Sequence, residues 1–509
     1  MNLFNQLFNW FISKRMARIE YFMKNPYSVQ ENLWKELIIS AKNTEWGKKY
    51  EYSSSLSLEE FRRRVPILAY EEFYPFIERM LYGEQNVLWH TPITHFSKSS
   101  GTTNARSKFI PVSNEALEIC HYRAGKDMLA LYIERNPKAQ IFKGKSISIG
   151  GSYHENPFQK GTYVGDVSAI VMKNLPWWAE YRRSPQLSTA LMSEWEAKIA
   201  KMAEETSKDN ITAMAGVPTW TMVLLQKVLE ITGKKTIAEV WENLEVFWHG
   251  AVAFSPYRQS FEKLIGLPNM QYMEIYNASE GFFGIQDTFE PDEMLLLLDH
   301  GVYYEFVPLE EIEKDHPKAI GLEDVELNKN YAIIITTNSG LWRYKIGDVI
   351  KFTNKEPFRF KIVGRTKQFI NAFGEELMVD NAEAAITFAC NKTNASIRNF
   401  SVAPIYLEAG KRGGHEWLIE FVQPPDDFSR FIELLDEKLK ELNSDYDAKR
   451  YKDIALVQPV VHQAPEGTFY EWLKRKNKLG GQNKIPRLSN NREYMDEMLE
   501  VMKEKLITS

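Results

Sequence analysis

A chain of 509 residues with 44% apolar content can bury more than one core, and its length points to about two to four domains. The formal net charge of −5 is small for this length, and 63 basic residues are interspersed with 68 acidic ones, which argues against a nucleic-acid footprint. Two cysteines, Cys120 and Cys390, with no CxxC or Cys/His spacing, argue against a disulfide framework or a zinc site and fit a reducing cytoplasm.

In chain order, the first segment, MNLFNQLFNWFISKRMARIEYF, interleaves Asn and Gln with its apolar residues, and its bases follow the apolar part. That is too short and polar for a membrane span and has the wrong order for a signal peptide. An amphipathic helix docked on the protein's own body is expected, without stable membrane insertion. Helical periodicity follows from Val29 to Lys42.

The stretch SKSSGTTNARSKFIPVS, from Ser97 to Ser113, crowds hydroxyls, one glycine and several bases between apolar runs. Hydroxyls and loop amides can wrap phosphate oxygens while Lys or Arg supplies opposing charge. The GxxxxGK[ST] pattern is absent, and a Ser/Thr turn with a solvated basic edge reads equally well from these residues alone.

Helices are then expected at Leu117 to Ile133, Ser188 to Thr206 and Thr219 to Ile231. Strand-like runs alternate with them at Ser146, Leu244, Met270, Met294, Val302 and Tyr331, which predicts a layered α/β core. From Phe358 the texture changes to a charged strand and turn. Beyond it come a helix at Val379 to Ala389, the strand HEWLIEFV and a charged helix from Phe428 to Leu442, a smaller α+β unit. We place the boundary between residues 361 and 362, giving a large unit of residues 1–361 and a small one of 362–509.

Three further motifs carry chemistry. In YNASEG, Tyr276 to Gly281 stands where a strand gives way to a loop, and Glu280 there can hold Mg2+ against phosphate oxygens. In YKIGDV, Asp348 follows Gly347 in an expected strand-turn-strand, where a short acceptor suits a ribose diol. In LGGQNKIPR, Lys484 is a lone base among glycines. Singly these also read as a surface Glu, a turn Asp and a loop Lys.

Together they resemble the Gretchen Hagen auxin-responsive family of acyl acid amido synthetases, within the adenylate-forming superfamily that includes firefly luciferase. SSGTTNARSKFIP is similar to that family's SSGTSxGxxKxxP at Ser99, Ser100, Gly101, Thr102, Thr103, Lys108 and Pro111, with Ala105 in place of a motif glycine. YNASEG resembles Y-x-[AS]-S-E at Tyr276, Ser279 and Glu280, and YKIGDV resembles YRxGDV at Tyr344, Gly347 and Asp348, with Lys345 in place of arginine. VGRTKQFINAFGEEL resembles the hinge and first turn of the small domain, and NKIPR its late YKTPR, with Lys484 on the lysine.

The resemblance implies a large, multi-layered adenylate-forming N-terminal domain with a small α+β domain on a hinge near Ile362 to Arg365. It implies ATP and Mg2+, with Ser99 to Thr103 around the phosphates, Glu280 on the metal, Asp348 on the ribose and Lys484 on the developing charge. Tyr276 and Ser279 belong to the nucleotide site, Gly250 and Ala251 match an adenine-lining loop, and Trp220, Tyr122 and His121 fall in regions that line the acid, although aromatics at helical spacing are commonly core. The implied partners are a small carboxylic acid and an amine or amino acid. Transfer of the acyl group to coenzyme A or a carrier thiol, and a silent binding relative, stay open as alternatives. No G-x-S-x-G elbow or placed Cys/His pair indicates a side-chain nucleophile.

Overall fold

The structure is a computed structural model that describes residues 3–99, 108–252, 254, 257–289, 293–312, 314, 316–366, 369–407, 412–453, 455–476 and 485–508. The six expected strands between Ser146 and Tyr331 all form and join an 11-stranded sheet. On one flank lie Arg183–Ser184, Lys145–Ser148, Ile211–Gly216, Val246–His249 and Gln271–Ala278, every pair parallel. On the other lie Gly281–Ile285, Met294–Leu296, Phe358–Arg365, Tyr344–Lys355, Asn330–Thr337 and Val302–Pro308, every pair antiparallel. Gln271–Ala278 is the junction, parallel to Val246–His249 and antiparallel to Gly281–Ile285.

Helices Trp195–Thr206 and Pro218–Thr232 bury Met202, Met222, Leu225 and Val228 around Phe247 of the parallel half. The antiparallel half is packed by Trp34, Phe61 and Phe73 against Phe283, Tyr304, Trp342 and Phe352. Its outer strand would expose unpaired backbone groups, and the helix Pro26–Ala41 answers this with one buried side chain. Gln30 Nε2 donates to the carbonyls of Leu298 (2.7 Å) and Val302 (3.0 Å), while its oxygen accepts from Tyr304 N at 2.9 Å.

A second sheet, in the order Lys108–Val112, His95–Ser99, Tyr163–Gly165 and Tyr153–Glu155, includes the described parts of the hydroxyl-rich stretch, Ser97–Ser99 and Lys108–Val112. The third, Ser396–Ile405, Gly414–Gln423 and Val460–Ala464, is covered by Val379–Lys392 and Phe428–Leu442 on one face. Trp472 and Met498 cover the other, packing on Leu418 and Ala403. The smaller unit is therefore α+β, and one apolar core runs from Phe247 and Phe261 into Ile370, Phe373 and Trp417. The strand Phe358–Arg365 stays in the large sheet past position 361, and the next described hairpin begins at Phe369.

Three local expectations are corrected. The helix at Leu117 to Ile133 is a π-helix, Ala116–Tyr122, followed by an α-helix, Arg123–Arg135; Ser113 Oγ starts it by accepting from Ala116 N at 2.9 Å. The helix at Ser188 to Thr206 is two, Leu187–Ala190 and Trp195–Thr206, because the Glu194 side chain accepts from Glu196 N and Ala197 N and begins a new helix. Asp348 does not sit in a turn between strands but within Tyr344–Lys355. There Ile346, Gly347 and Asp348 oppose the single Ile333, a bulge that Gly347 permits with its φ of +97°.

The N-terminal helix Leu3–Lys24 docks on the body, as its composition predicts, burying Ile19 and Phe22. Arg15 Nε donates to Asp127 at 2.6 Å and Arg18 Nε to Asp299 at 2.6 Å. His300 lies between the two acids, 3.1 Å from Asp127 and 2.9 Å from Asp299. Asp127, Asp299 and His300 have the spacing of a metal triad, but the guanidiniums already occupy both carboxylates, and the group reads as a charge knot.

Burial opposes charge on His300, and the two carboxylates outweigh it, so its pKa is raised above the usual 6.5. Its stabilising share is therefore fully present below the unfolded pKa and is lost as pH rises through the folded value. Asp127→Asn should destabilise the protein by about 3–5 kcal/mol in urea unfolding near pH 6, since it leaves buried cations unpaired. The gap from wild type should narrow at alkaline pH; a gap independent of pH would show that His300 does not take part.

Candidate active site

In open α/β sheets ligands gather at the carboxyl ends of parallel strands. Here Gly216, His249 and Glu274 stand side by side, and the junction strand runs on beyond its parallel partner to Tyr276–Ala278 before turning at Ser279 and Glu280. Alternation along that strand turns successive side chains to opposite faces.

One face is charged. The Tyr276 hydroxyl donates to Asp348, and Arg365 Nε donates to the other carboxylate oxygen at 2.6 Å. Asp348 and Arg365 are direct cross-strand partners on Tyr344–Lys355 and Phe358–Arg365. Arg365 also donates to Glu376 at 3.0 Å and stacks 4.8 Å from the Phe369 ring. Burial works against the Arg365 charge, but Asp348 and Glu376 outweigh it and raise its pKa.

Four residues before Asp348 on the same strand, the Tyr344 hydroxyl donates to Glu280 Oε1 at 3.3 Å. Tyr344 is placed by Arg343, whose guanidinium is held by Glu305 (2.8 and 3.1 Å) and by the carbonyls of Arg62 and Val65 (both 2.7 Å). Burial raises the Glu280 pKa above the usual carboxylate value; Lys108 opposes this and Asp348 adds to it.

The other face is neutral. Ser97 Oγ donates to Ser279 Oγ at 2.9 Å, so the first motif's strand meets the second motif's turn. Ser99 is the register partner of Lys108, whose charge acts on Glu280 and whose Nζ lies 5.5 Å from the Tyr70 ring. Ser100, Gly101, Thr102, Thr103 and Lys484 lie outside the described residues. His121 faces Asn277; burial lowers its pKa to about 4, leaving it a neutral imidazole. Tyr122 is packed with Val112, Leu117 and Ile170, its hydroxyl donating to the Val171 carbonyl at 3.1 Å.

Gly250 passes so close to the junction strand that a β-carbon would stand 2.4 Å from the Ile275 carbonyl oxygen. Ala251 has a φ of +70°, and its carbonyl accepts from Asn371 Nδ2 of the small unit at 3.0 Å. Trp220 opens the helix after Gly216 and lies under Lys449 of the small unit, 5.1 Å from ring to Nζ. A shallow pocket of about 390 Å³ between Arg258, Met270 and Tyr272 is at the other end of the junction strand from Glu280.

The chain matches the GH3 family N-terminal domain over residues 15–270, the GH3 family central domain over 295–365 and the GH3 family C-terminal domain over 380–493. The chain belongs to the GH3 family. Among relatives it is similar to indole-3-acetic acid-amido synthetase GH3.3 of Arabidopsis thaliana, 23% identical with 93% of this chain and 91% of the relative covered. It is also similar to 4-substituted benzoates-glutamate ligase GH3.12 of the same plant, 22% identical with 91% and 93% covered. In fold it is similar to the GH3.15 acyl acid amido synthetase solved in complex with 2,4-DB, at a TM-score of 0.62, 18% identity and 96% of each chain.

Within this GH3 chain, sequence reading assigned no site role to Arg365, Glu376, Arg343 or Ser97; strand register brings Arg365 to Asp348, and side-chain hydrogen bonds bring Glu376 to Arg365, Arg343 to Glu305 and Ser97 to Ser279. The pairing of Asp348 with Arg365 spans 17 positions, a separation with no periodicity to detect.

Glu280 is an acid whose pKa is raised on folding, so its cost is absent below the unfolded value near 4.5 and fully present above the folded value. Glu280→Gln, which keeps an acceptor for Tyr344, should therefore raise the thermal midpoint of the ligand-free protein at pH 7.5. A lower midpoint would mean that the carboxylate's neighbours already compensate its burial.

Proposed function

We propose that this chain activates a carboxylic acid with ATP and then transfers the acyl group to an amino acid or other amine, as an acyl acid amido synthetase. The observation that supports this most is the convergence on one strand end of Glu280 with Tyr344, Asp348 with Tyr276 and Arg365, and Ser279 with Ser97. The relatives' printed names, an amido synthetase and a glutamate ligase, agree with it.

A carboxylate is inert toward amines because its oxygen leaves poorly. Attack of that oxygen on the α-phosphorus expels pyrophosphate and makes AMP the leaving group; the amine nitrogen then attacks the acyl carbon, loses a proton and releases AMP. No side-chain nucleophile is required, so the protein's part is positioning and charge. The donor set fits ATP with Mg2+: Glu280 offers one carboxylate, and a divalent ion held mainly by phosphates and water takes one or two. When bound, Mg2+ would supply charge neutralisation at the phosphates.

Asp348 would take the ribose hydroxyls while Arg365 and Tyr276 hold its carboxylate in place. Gly250 and Ala251 would border the adenine, and the hydroxyls and amides of Ser99 to Thr103, with Lys108, would border the phosphates. His121, Tyr122 and Trp220 are assigned to the acid side. A neutral His121 suits an acid whose charge must reach phosphorus unpaired. We further propose a division at residues 361 and 362, with the small domain turning about Ile362 to Arg365 between half-reactions. Gly364, whose added β-carbon would meet nothing within 4 Å, leaves room for that turn. Two buried free cysteines suit a cytoplasmic setting, and among the described residues no helix is long and apolar enough to cross a membrane.

The deciding measurement is acid-dependent ATP–pyrophosphate exchange across a panel of carboxylic acids, followed by product analysis with amines and with coenzyme A. Exchange and amide are expected; thioester alone would favour the thiol acceptor, and no exchange with any acid would end the adenylation reading. Glu280→Gln should lower exchange about 100-fold or more. Lys484→Ala should slow adenylate formation by about 100- to 1,000-fold, roughly 3–4 kcal/mol, and spare the second step. Supplying a prepared acyl adenylate to wild type and variant in a single turnover separates the steps. Equal damage to both would make Lys484 a support of the fold.

A further inference from the structure

The turn that carries Ser279 and Glu280 is two residues long, closed by Ala278 and Gly281 as register partners. The next pair along the hairpin is Asn277 with Phe282, and beyond it the ladder slips, between Phe282 and Gly284. A bulge interrupts backbone pairing, so the groups beside it need other partners. Cys120 supplies one. Phe282 N donates to its sulfur at 3.1 Å, and the thiol donates back to the Phe282 carbonyl at 3.8 Å. The packing is close, since a β-carbon on Gly281 would stand 3.5 Å from the sulfur. Cys120 is 2% exposed, and burial pushes its thiol up to about 12, so it keeps the proton that the second bond requires.

His121, the next residue, faces Asn277, the register partner of Phe282. Two consecutive side chains thus meet the two strands of one hairpin. An α-helix sets successive side chains about 100° apart, and the wider turn of the π-helix Ala116–Tyr122 brings them nearer to one direction. Both flanks of this segment are tied down elsewhere: the Ser113 hydroxyl donates to the Asn338 carbonyl at 2.7 Å, and Arg123 donates to the Asp299 carbonyl at 2.5 Å. The π-helix is therefore a fixed clamp on the hairpin.

We propose that Cys120 is a positioning residue for the adenylation step: by bonding the Phe282 backbone it sets where the turn holds Glu280, two residues away. This rests on the adenylation reading above. A two-residue turn has little slack to absorb a shift of Phe282, and Ser97 holds only Ser279 on its other side, so the shift passes to the Glu280 carboxylate. A misplacement of about 1 Å can cost on the order of 100-fold in rate.

The test uses the full-length protein and three variants. Cys120→Ala and Cys120→Val remove the sulfur with opposite errors in volume, and Cys120→Ser keeps a group that accepts and donates. In the ligand-free protein, hydrogen–deuterium exchange of the peptide spanning residues 277–285 should quicken about 10-fold or more in the Ala and Val variants and stay near wild type in the Ser variant. With an acid that supports ATP–pyrophosphate exchange, kcat for that exchange should fall about 10- to 100-fold in the Ala and Val variants, with KM for the acid little changed, and Ser should recover most of it. Amide formation from a prepared acyl adenylate should be spared. Equal loss in both half-reactions, loss in only one of the Ala and Val variants, or loss in Ser as deep as in Ala overturns the assignment and makes Cys120 a packing residue. Wild-type kcat in the Ala and Val variants overturns it too, whatever the deuterium shows. Failure of the wild type to exchange pyrophosphate with any acid overturns the adenylation reading and this assignment with it; the other adverse outcomes overturn this assignment alone.

Discussion

The site depends on the junction strand Gln271–Ala278 having two unlike neighbours, one parallel and one antiparallel. A parallel partner needs a long crossover and puts its loop at the carboxyl end, which is how Gly216 and Gly250 come to that edge. An antiparallel partner returns by a tight turn, which places Ser279 and Glu280 at the same edge and leads the chain back into the strands that carry Tyr344 and Asp348. A sheet parallel throughout would have separated Glu280 from Asp348 by intervening helices. The mixed sheet sets loops from one half against strand side chains from the other.

Within that frame the two faces of the strand end divide the electrostatics. Tyr276, Asp348, Arg365, Glu280 and Tyr344 form a charged, buried set in which each carboxylate has a hydroxyl donor and a cation in range. His121, Asn277, Ser279 and Ser97 form a set without formal charge. Such a division suits a reaction in which phosphates must be neutralised while a second carboxylate keeps its nucleophilic charge. The cation shared by Asp348 and Glu376 also joins the large sheet to the first turn of the small unit, so the geometry of Asp348 and the seat of the small unit are coupled through one guanidinium.

Stability and function draw on different charges. The knot of Arg15, Arg18, Asp127, Asp299 and His300 fastens the N-terminal helix at a place with no part in the site, and its ions are mutually satisfied. Glu280 is the opposite case, burial without full compensation by the protein itself. Groups left in that state are ones a ligand can complete.

Much was legible in the residue order. Short apolar runs marked the strands from Ser146 to Tyr331, helical periodicity at Val29 to Lys42 and a charged helical run at Phe428 to Leu442 marked the helices Pro26–Ala41 and Phe428–Leu442, and the order of SSGTT, YNASEG, YKIGDV and NKIPR carried the resemblance to the family to which the chain belongs. These signals are local, since burial repeats along one element and motif residues lie within a few positions of each other. The break at Glu194 and the π-helix at Ala116–Tyr122 were hidden because a side-chain cap and a wider helical turn preserve the apolar pattern. Which charges meet was decided by the tertiary structure alone: Asp348 with Arg365 by strand register, Tyr344 with Glu280 by sheet order, and Lys449 over Trp220 by the seating of one unit on another. Periodicity records which face is buried. It holds no information on what that face is buried against.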